Sequence, residues 1–533
     1  MWTCGFDRSL LLTRMVRNPS GVVVSGRARC MVAGRQTAAI GVFSRLDGAP
    51  GRSRGLSAML LAVWVLLPGL IGSGRTIAAD RAAPEAETAS PDAVSPSGAG
   101  DPGRGYAFLT RTPLLPPDFD NDVFNELWTV WPKPLREEAR AASPAERRRM
   151  AFERYGLVES PDHPETGPAL GYVDGGNGRW VMNCLACHSG TVAGQPVMGV
   201  PNSLFAMQTL TEEVRMVKLR LGKPLSHLDL GSLRIPLGQN IGTTNAVIFG
   251  VALGARRDRE INFVPNVESP PLLHHDCDAP PFWNVRRKKL IYADGFAAKG
   301  HRPLLQFVMV PQNSGERIRG WDQGARDLLA WIESLRPPKY PHEIDRNLAE
   351  RGKTAFERVC ARCHGTYAAE GNSSPELYPN KIVPIEEIGT DRVRFDSLRR
   401  EYREFMANGW FGDYGAKIES YRVDTPGYLA PPLDGIWASA PYFHNGSVPT
   451  LAELLAPESR PAVWKRTRTG YDHQRVGLEV ERLDAVPNDV TSPAERRWYY
   501  DTRKHGKSAA GHLYPNELSD EERRAVLEYL KTL

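Results

Sequence analysis

The sequence predicts a mainly α-helical protein made of two similar halves with long loop-rich insertions. Three observations carry this reading. The pentapeptide Cys-x-x-Cys-His occurs twice, as CLACH at 184–188 and CARCH at 360–364. Each half closes in an amphipathic helix, and the stretches between are rich in Pro and Gly with few long alternating runs.

The elements follow in order. In "SPAERRRMAFERYGL", Ser143 is placed as helix N-cap, Pro144 at the first helical position and Glu146 as the partner in a capping box. CLACH comes next. The first half ends in "ARDLLAWIESLRPPKYP", where Leu328, Leu329, Trp331, Ile332 and Leu335 recur at helical spacing and Pro337-Pro338 stops the helix. In the second half, "IDRNLAERGKTAFERVCARCH" reads as an amphipathic helix running straight into the pentapeptide. The chain closes with "LSDEERRAVLEYLKTL", with Ser519 and Glu522 as a capping box and Val526, Leu527 and Leu530 as the apolar face.

The 533 residues leave room for two or three domains. An apolar fraction of 41%, with 9% aromatic residues and 12 Trp, supports packed cores and argues against disorder. The formal charge of +5 is unevenly placed: residues 1–79 hold ten Arg, no Lys and two Asp, so the remainder nets −3. A strongly basic nucleic-acid surface is therefore not supported, and no nucleic-acid partner is expected. Arg52 and Arg54 precede the apolar run "LSAMLLAVWVLLPGLIG", and small residues near Ala79 suit a signal cleavage site. The expected layout is a basic extension (1–56, with Met59 an alternative start), a signal peptide (57–79) and a flexible Ala/Pro/Ser/Gly linker (80–105). Two halves follow, 106–340 and 341–533. The product is expected to be periplasmic or otherwise exported, with membrane association only if the signal segment stays uncleaved.

Cys-x-x-Cys-His suits covalent haem attachment. Two thiols two residues apart each add to a vinyl group on one porphyrin edge, and the following imidazole takes the iron. The rival readings fit less well. A thioredoxin-type pair needs a βαβ setting and no His, and a Cys4 zinc site leaves both histidines unexplained. The expectation is two haems c, bound through Cys184, Cys187, Cys360 and Cys363, with His188 and His364 as proximal ligands. Cys4 and Cys30 fall in the leader, and Cys277 is left as a buried small residue.

The second half resembles a class I cytochrome c domain: Gly352 and Phe356 stand four apart before CARCH, and Tyr529 lies in the last helix. Two such domains in tandem, with "APPLDGIWASAPYFHNGSVPTLAELL" (430–455), resemble the bacterial di-haem cytochrome c peroxidase and MauG superfamily. "DAPPFWNVRRKKLIYADG" (278–295) and "YYDTRKHGKSAAGHLYP" (499–515) are most similar to its rubber-oxygenase-like (RoxA-like) branch. The resemblance covers roughly residues 106–533.

That resemblance implies one electron-transfer haem and one that reacts with peroxide or dioxygen. The Met or Tyr expected fourteen residues past His444 is Glu458 here. His512, just before the closing helix, is therefore the expected distal ligand of haem 2, with His444 second and Met406 third. For haem 1 the resemblance points to an open distal position guarded by Phe296, with His301 and Met309 nearby. Trp283 resembles the tryptophan that relays electrons between the haems, and Arg286, Arg287, Lys288 and Lys289 are placed to neutralise propionates or simply to form a solvated face. A bridging Ca2+ is common in the superfamily, but no carboxylate loop here identifies one. The implied activity is that of a peroxidase-like haem oxidoreductase, with a small redox protein as electron donor or acceptor. A non-catalytic carrier and an oxygenase of apolar organic substrates are the alternatives.

Overall fold

The computed structural model describes residues 99–268, 270–368, 377–415 and 424–533. The basic extension, the signal segment with Ala79, and Cys4 and Cys30 lie outside the described residues.

Two helix pairs frame the molecule. Arg346–Val359 packs on the closing helix Asp520–Leu530. At their crossing, a Cβ on Gly352 would meet the Ala525 carbonyl oxygen at 1.9 Å, so only glycine lets the backbones come this close. The Phe356 and Tyr529 rings pack beside that contact with centroids 5.3 Å apart. Ser519 and Glu522 form the expected reciprocal cap. The first half has an equivalent pair: Pro102–Arg111 against Asp322–Ser334, with Gly105 as close to the Asp327 carbonyl oxygen (2.0 Å). Arg104 also pairs with the Asp327 carboxylate at 2.9 Å. This first helix begins within the stretch whose composition reads as linker. Asp101 caps it and Pro102 starts it, which are ordinary helix-start signals.

The expectation of a mainly α protein of two tandem class I cytochrome c-like domains is corrected here. The described residues are 42% helical and 13% strand, with several small sheets, and a tandem pair of class I domains is not shown among them. One reason is local. CLACH is not entered from a helix: between Pro144–Tyr155 and CLACH lies the antiparallel hairpin Tyr172–Asp174/Arg179–Met182. Its turn, Gly176-Asn177-Gly178, has positive φ throughout, and Phe119–Asp120 adds a third strand. Another three-stranded sheet, Val463–Asp472 between Gly477–Leu483 and Tyr499–Asp501, occupies the second half.

The other reason is packing. One apolar core joins Phe296, Leu305 and Met309 of the first half to Tyr402, Met406, Trp410 and Phe411 of the second. Another joins Val200 and Trp283 to Phe356, Trp437 and Tyr529. Each half thus completes the other's core, and at about 1.5–3 kcal/mol per buried large side chain neither core survives separation intact.

Gly352→Ala in the intact protein is expected to lower stability by about 1–3 kcal/mol, because the added methyl must push the two helices apart. Urea unfolding reads this directly. An unchanged midpoint would mean that the helices do not cross this closely.

Candidate haem sites

The two pentapeptides fold into the same turn. In CLACH, the Asn183 side chain caps the start by accepting from the Leu185 amide at 2.8 Å. The Cys187 and His188 amides then return to the Cys184 carbonyl at 3.3 and 3.1 Å. In CARCH, the Cys363 and His364 amides return to the Cys360 carbonyl, both at 3.1 Å. One tight turn therefore brings each thiol pair and its imidazole together, as thioether attachment to one porphyrin edge requires. Burial is the leading cause that pushes Cys184 up to about 11 and Cys187 and Cys360 to about 12, so these thiols are protonated at neutral pH.

Each histidine is aimed by a backbone carbonyl. His188 Nδ1 donates to the Pro280 oxygen at 2.9 Å, and His364 Nδ1 to the Pro431 oxygen at 2.8 Å. Both acceptors are the first proline of an Ala-Pro-Pro tripeptide, 279–281 and 430–432. The bond fixes the tautomer and leaves Nε2 free to coordinate a metal. Burial lowers the pKa of both, that of His188 to about 4, so each imidazole is neutral. Sequence reasoning missed these two carbonyls, although the repeated Ala-Pro-Pro was a visible signal.

Across from His364 stands His512. The ring centroids are 6.2 Å apart with planes at 62°. Two imidazole–metal bonds of about 2.0 Å, with about 1.1 Å more from each nitrogen to its ring centre, span roughly 6 Å. The gap therefore fits an iron between them. Burial, and then the nearby His364, hold His512 down at about 3, and its Nδ1 is buried without a partner among the described residues. Gly389 and the Ile388 carbonyl, which accepts the His512 amide at 2.7 Å, hold the loop in place.

His444 is placed differently. It packs on the Tyr428 ring at 4.4 Å, near Arg394 and His275, with Nε2 buried and unpartnered among the described residues. Its neighbour Phe443, with Tyr514, flanks the His512 ring, at centroid spacings of 6.0 and 5.5 Å. Glu458 pairs with Arg523 at 2.6 Å. Met406 and Met309 are core residues in one apolar cluster with Phe296. Phe296 itself stacks on Tyr292 at 4.9 Å. His301 spends its Nε2 on Asp322 at 3.0 Å, a carboxylate it shares with Arg302.

Trp283 is fully buried between the halves, donating its indole N–H to the Asp434 carbonyl at 2.8 Å and lying against Gly199 and Gly435. Of the basic run, Arg286 and Arg287 both pair with the Asp434 carboxylate, at 2.8 and 2.7 Å. Lys288 is pushed down to about 8 by burial, and Lys289 is exposed. Cys277 is a free thiol raised by burial to about 12. Among the described residues no group of three or more His, Cys, Asp or Glu is arranged to hold a metal ion by itself.

If each turn carries a haem, His512→Ala is expected to create a high-spin ferric signal from one of them while the other's signals stay in place. His444→Ala is expected to leave both spin states as they were. Electron paramagnetic resonance of the two variants decides, and the reverse pattern would make His444 the ligand.

A family model described as RoxA-like, cytochrome c-like matches residues 427–465. That stretch holds Pro431, Phe443 and His444. Two curated proteins of Sinorhizobium fredii (strain NBRC 101917 / NGR234) are similar to the chain, each 28% identical over 258 residues. Uncharacterized protein y4iM is matched over 44% of this chain and 56% of its own length, and uncharacterized protein y4iJ over 37% and 41%. The chain thus spans about half the length of these relatives. The matched domain supports the RoxA-like cytochrome branch, and a cytochrome c-like domain implies haem c.

Proposed function

We propose that the chain is an exported di-haem c-type oxidoreductase of the wider di-haem peroxidase and MauG superfamily. In this reading His364 and His512 would hold a haem suited to electron transfer, and His188 would hold a haem suited to chemistry with peroxide or dioxygen. The observation that carries it is the duplicated site: two Cys-x-x-Cys-His turns with the same backbone hydrogen bonds, each with its imidazole held by the carbonyl of the first proline of an Ala-Pro-Pro turn. Haem iron supplies one-electron chemistry and, where a coordination position is open, binding of a small oxidant.

The residues divide the work by their surroundings. His364 and His512 present two neutral imidazoles to one site, which favours a low-spin centre that changes oxidation state with little rearrangement. His188 has Phe282 stacked on its ring at 4.0 Å. The resemblance assigns Phe296 to an open distal position of this site, and Phe296 lies in an apolar cluster with Leu305 and Met309. Trp283, fixed through its N–H and buried between the halves, is the group proposed to relay an electron. A small redox protein is the proposed donor or acceptor, and the signal segment at 57–79 the route of export.

The RoxA-like match favours a second reading, in which dioxygen at the His188 haem is used against an apolar organic substrate. Intact-mass analysis of the exported protein is expected to show two haems per polypeptide. Carbon monoxide is expected to bind one of them after reduction. A mass without haem, or with one, would sink the di-haem reading, and two haems that both refuse carbon monoxide would make the protein an electron carrier.

A further inference from the structure

Asn284 follows Trp283 in the short helical turn Phe282–Arg287 and is only 4% exposed. Its side-chain amide crosses to the second half and donates to the Pro432 carbonyl at 2.9 Å. Pro432 is bonded to Pro431, whose carbonyl receives the Nδ1 proton of His364. Neither proline has an N–H, so this turn cannot be pinned through its own donors. It is held instead through neighbouring groups: the Ala430 carbonyl by the Tyr378 hydroxyl at 2.5 Å, the Leu433 amide by the Tyr367 hydroxyl at 2.5 Å, and Pro432 by Asn284. Of these three only Asn284 comes from the first half, and its turn begins two residues after Pro280, the acceptor of His188.

We propose that Asn284 is a positioning residue for His364, setting from the first half the carbonyl that orients the ligand of the second. The proposal rests on the reading that His364 is an iron ligand. Without the amide donor, the buried Pro432 carbonyl loses its partner and the Pro431–Pro432 segment relaxes. The His364 Nδ1–H···O bond then weakens, and a less polarised imidazole is a poorer donor to the metal. The bond from His188 to Pro280 needs no contribution from the Asn284 side chain, so the site at His188 serves as an internal control.

The test is a spectroelectrochemical titration of the intact two-haem protein and of Asn284→Leu, which keeps the volume and removes the donor. The midpoint potential of the His364 haem is expected to rise, its low-spin resonance to shift, and the His188 haem to move less. Asn284→Gln, which keeps an amide donor on a longer stem, is expected to recover most of the change. If the leucine variant does not fold, Asn284→Ser, too short to reach Pro432, carries the same expectation. Two bound haems with no displacement, or with equal displacement of both potentials, would overturn the proposal. Fewer than two haems on the unaltered chain would instead overturn the di-haem reading on which it stands.

Discussion

The hydrogen bond from each pentapeptide histidine to a proline carbonyl is the constraint from which the rest of the arrangement follows. A Cys-x-x-Cys-His turn fixes the thiols and the histidine backbone but leaves the imidazole free to rotate. The Pro280 and Pro431 carbonyls remove that freedom at 2.9 and 2.8 Å and leave one nitrogen per ring for a metal. Proline suits the task because a fixed φ and a missing N–H give a stiff turn whose carbonyl points one way. The second Ala-Pro-Pro turn then leads directly to Asp434 and Gly435, which receive Trp283 of the other half. The same segment therefore orients one ligand and docks the two halves.

Around that hinge the packing is reciprocal. The Gly352–Ala525 crossing brings the helix that enters CARCH against the helix that follows His512, so both sides of the His364–His512 gap are tied to one rigid pair. The 6.2 Å spacing of the rings depends on it. In the first half the pair built on Gly105 does the equivalent work, but CLACH is approached through a β-hairpin. The two sites share a turn and a carbonyl, not a domain. Leu398, Tyr402, Met406, Ala407, Trp410 and Phe411 fill the core beside Phe296.

Much of the site was legible in the sequence because its signals are local. Cys-x-x-Cys-His, the capping boxes at Ser143 and Ser519, the Gly352–Phe356–Tyr529 contact and the place of His512 before the closing helix each depend on residues close in the chain or on one known packing. What was missed is not local. Backbone acceptors such as Pro280 and Pro431 have no side-chain signature, and only the repeat of Ala-Pro-Pro gave a hint. The helix from Pro102 was hidden by Gly- and Pro-rich composition despite its Asp101 cap. The hairpin before CLACH was hidden because its strands are only three and four residues long. The interleaved cores rest on contacts more than a hundred residues apart, which periodicity does not reach.

The central proposal is that the duplicated turns would hold two chemically different haems, one shared by His364 and His512 and one on His188. The resting ferric electron paramagnetic resonance spectrum of the unaltered protein tests it most directly. The account predicts two species in equal amounts: a low-spin signal of a bis-imidazole centre and a high-spin signal from the second haem. Two low-spin signals, or a single species, would contradict it.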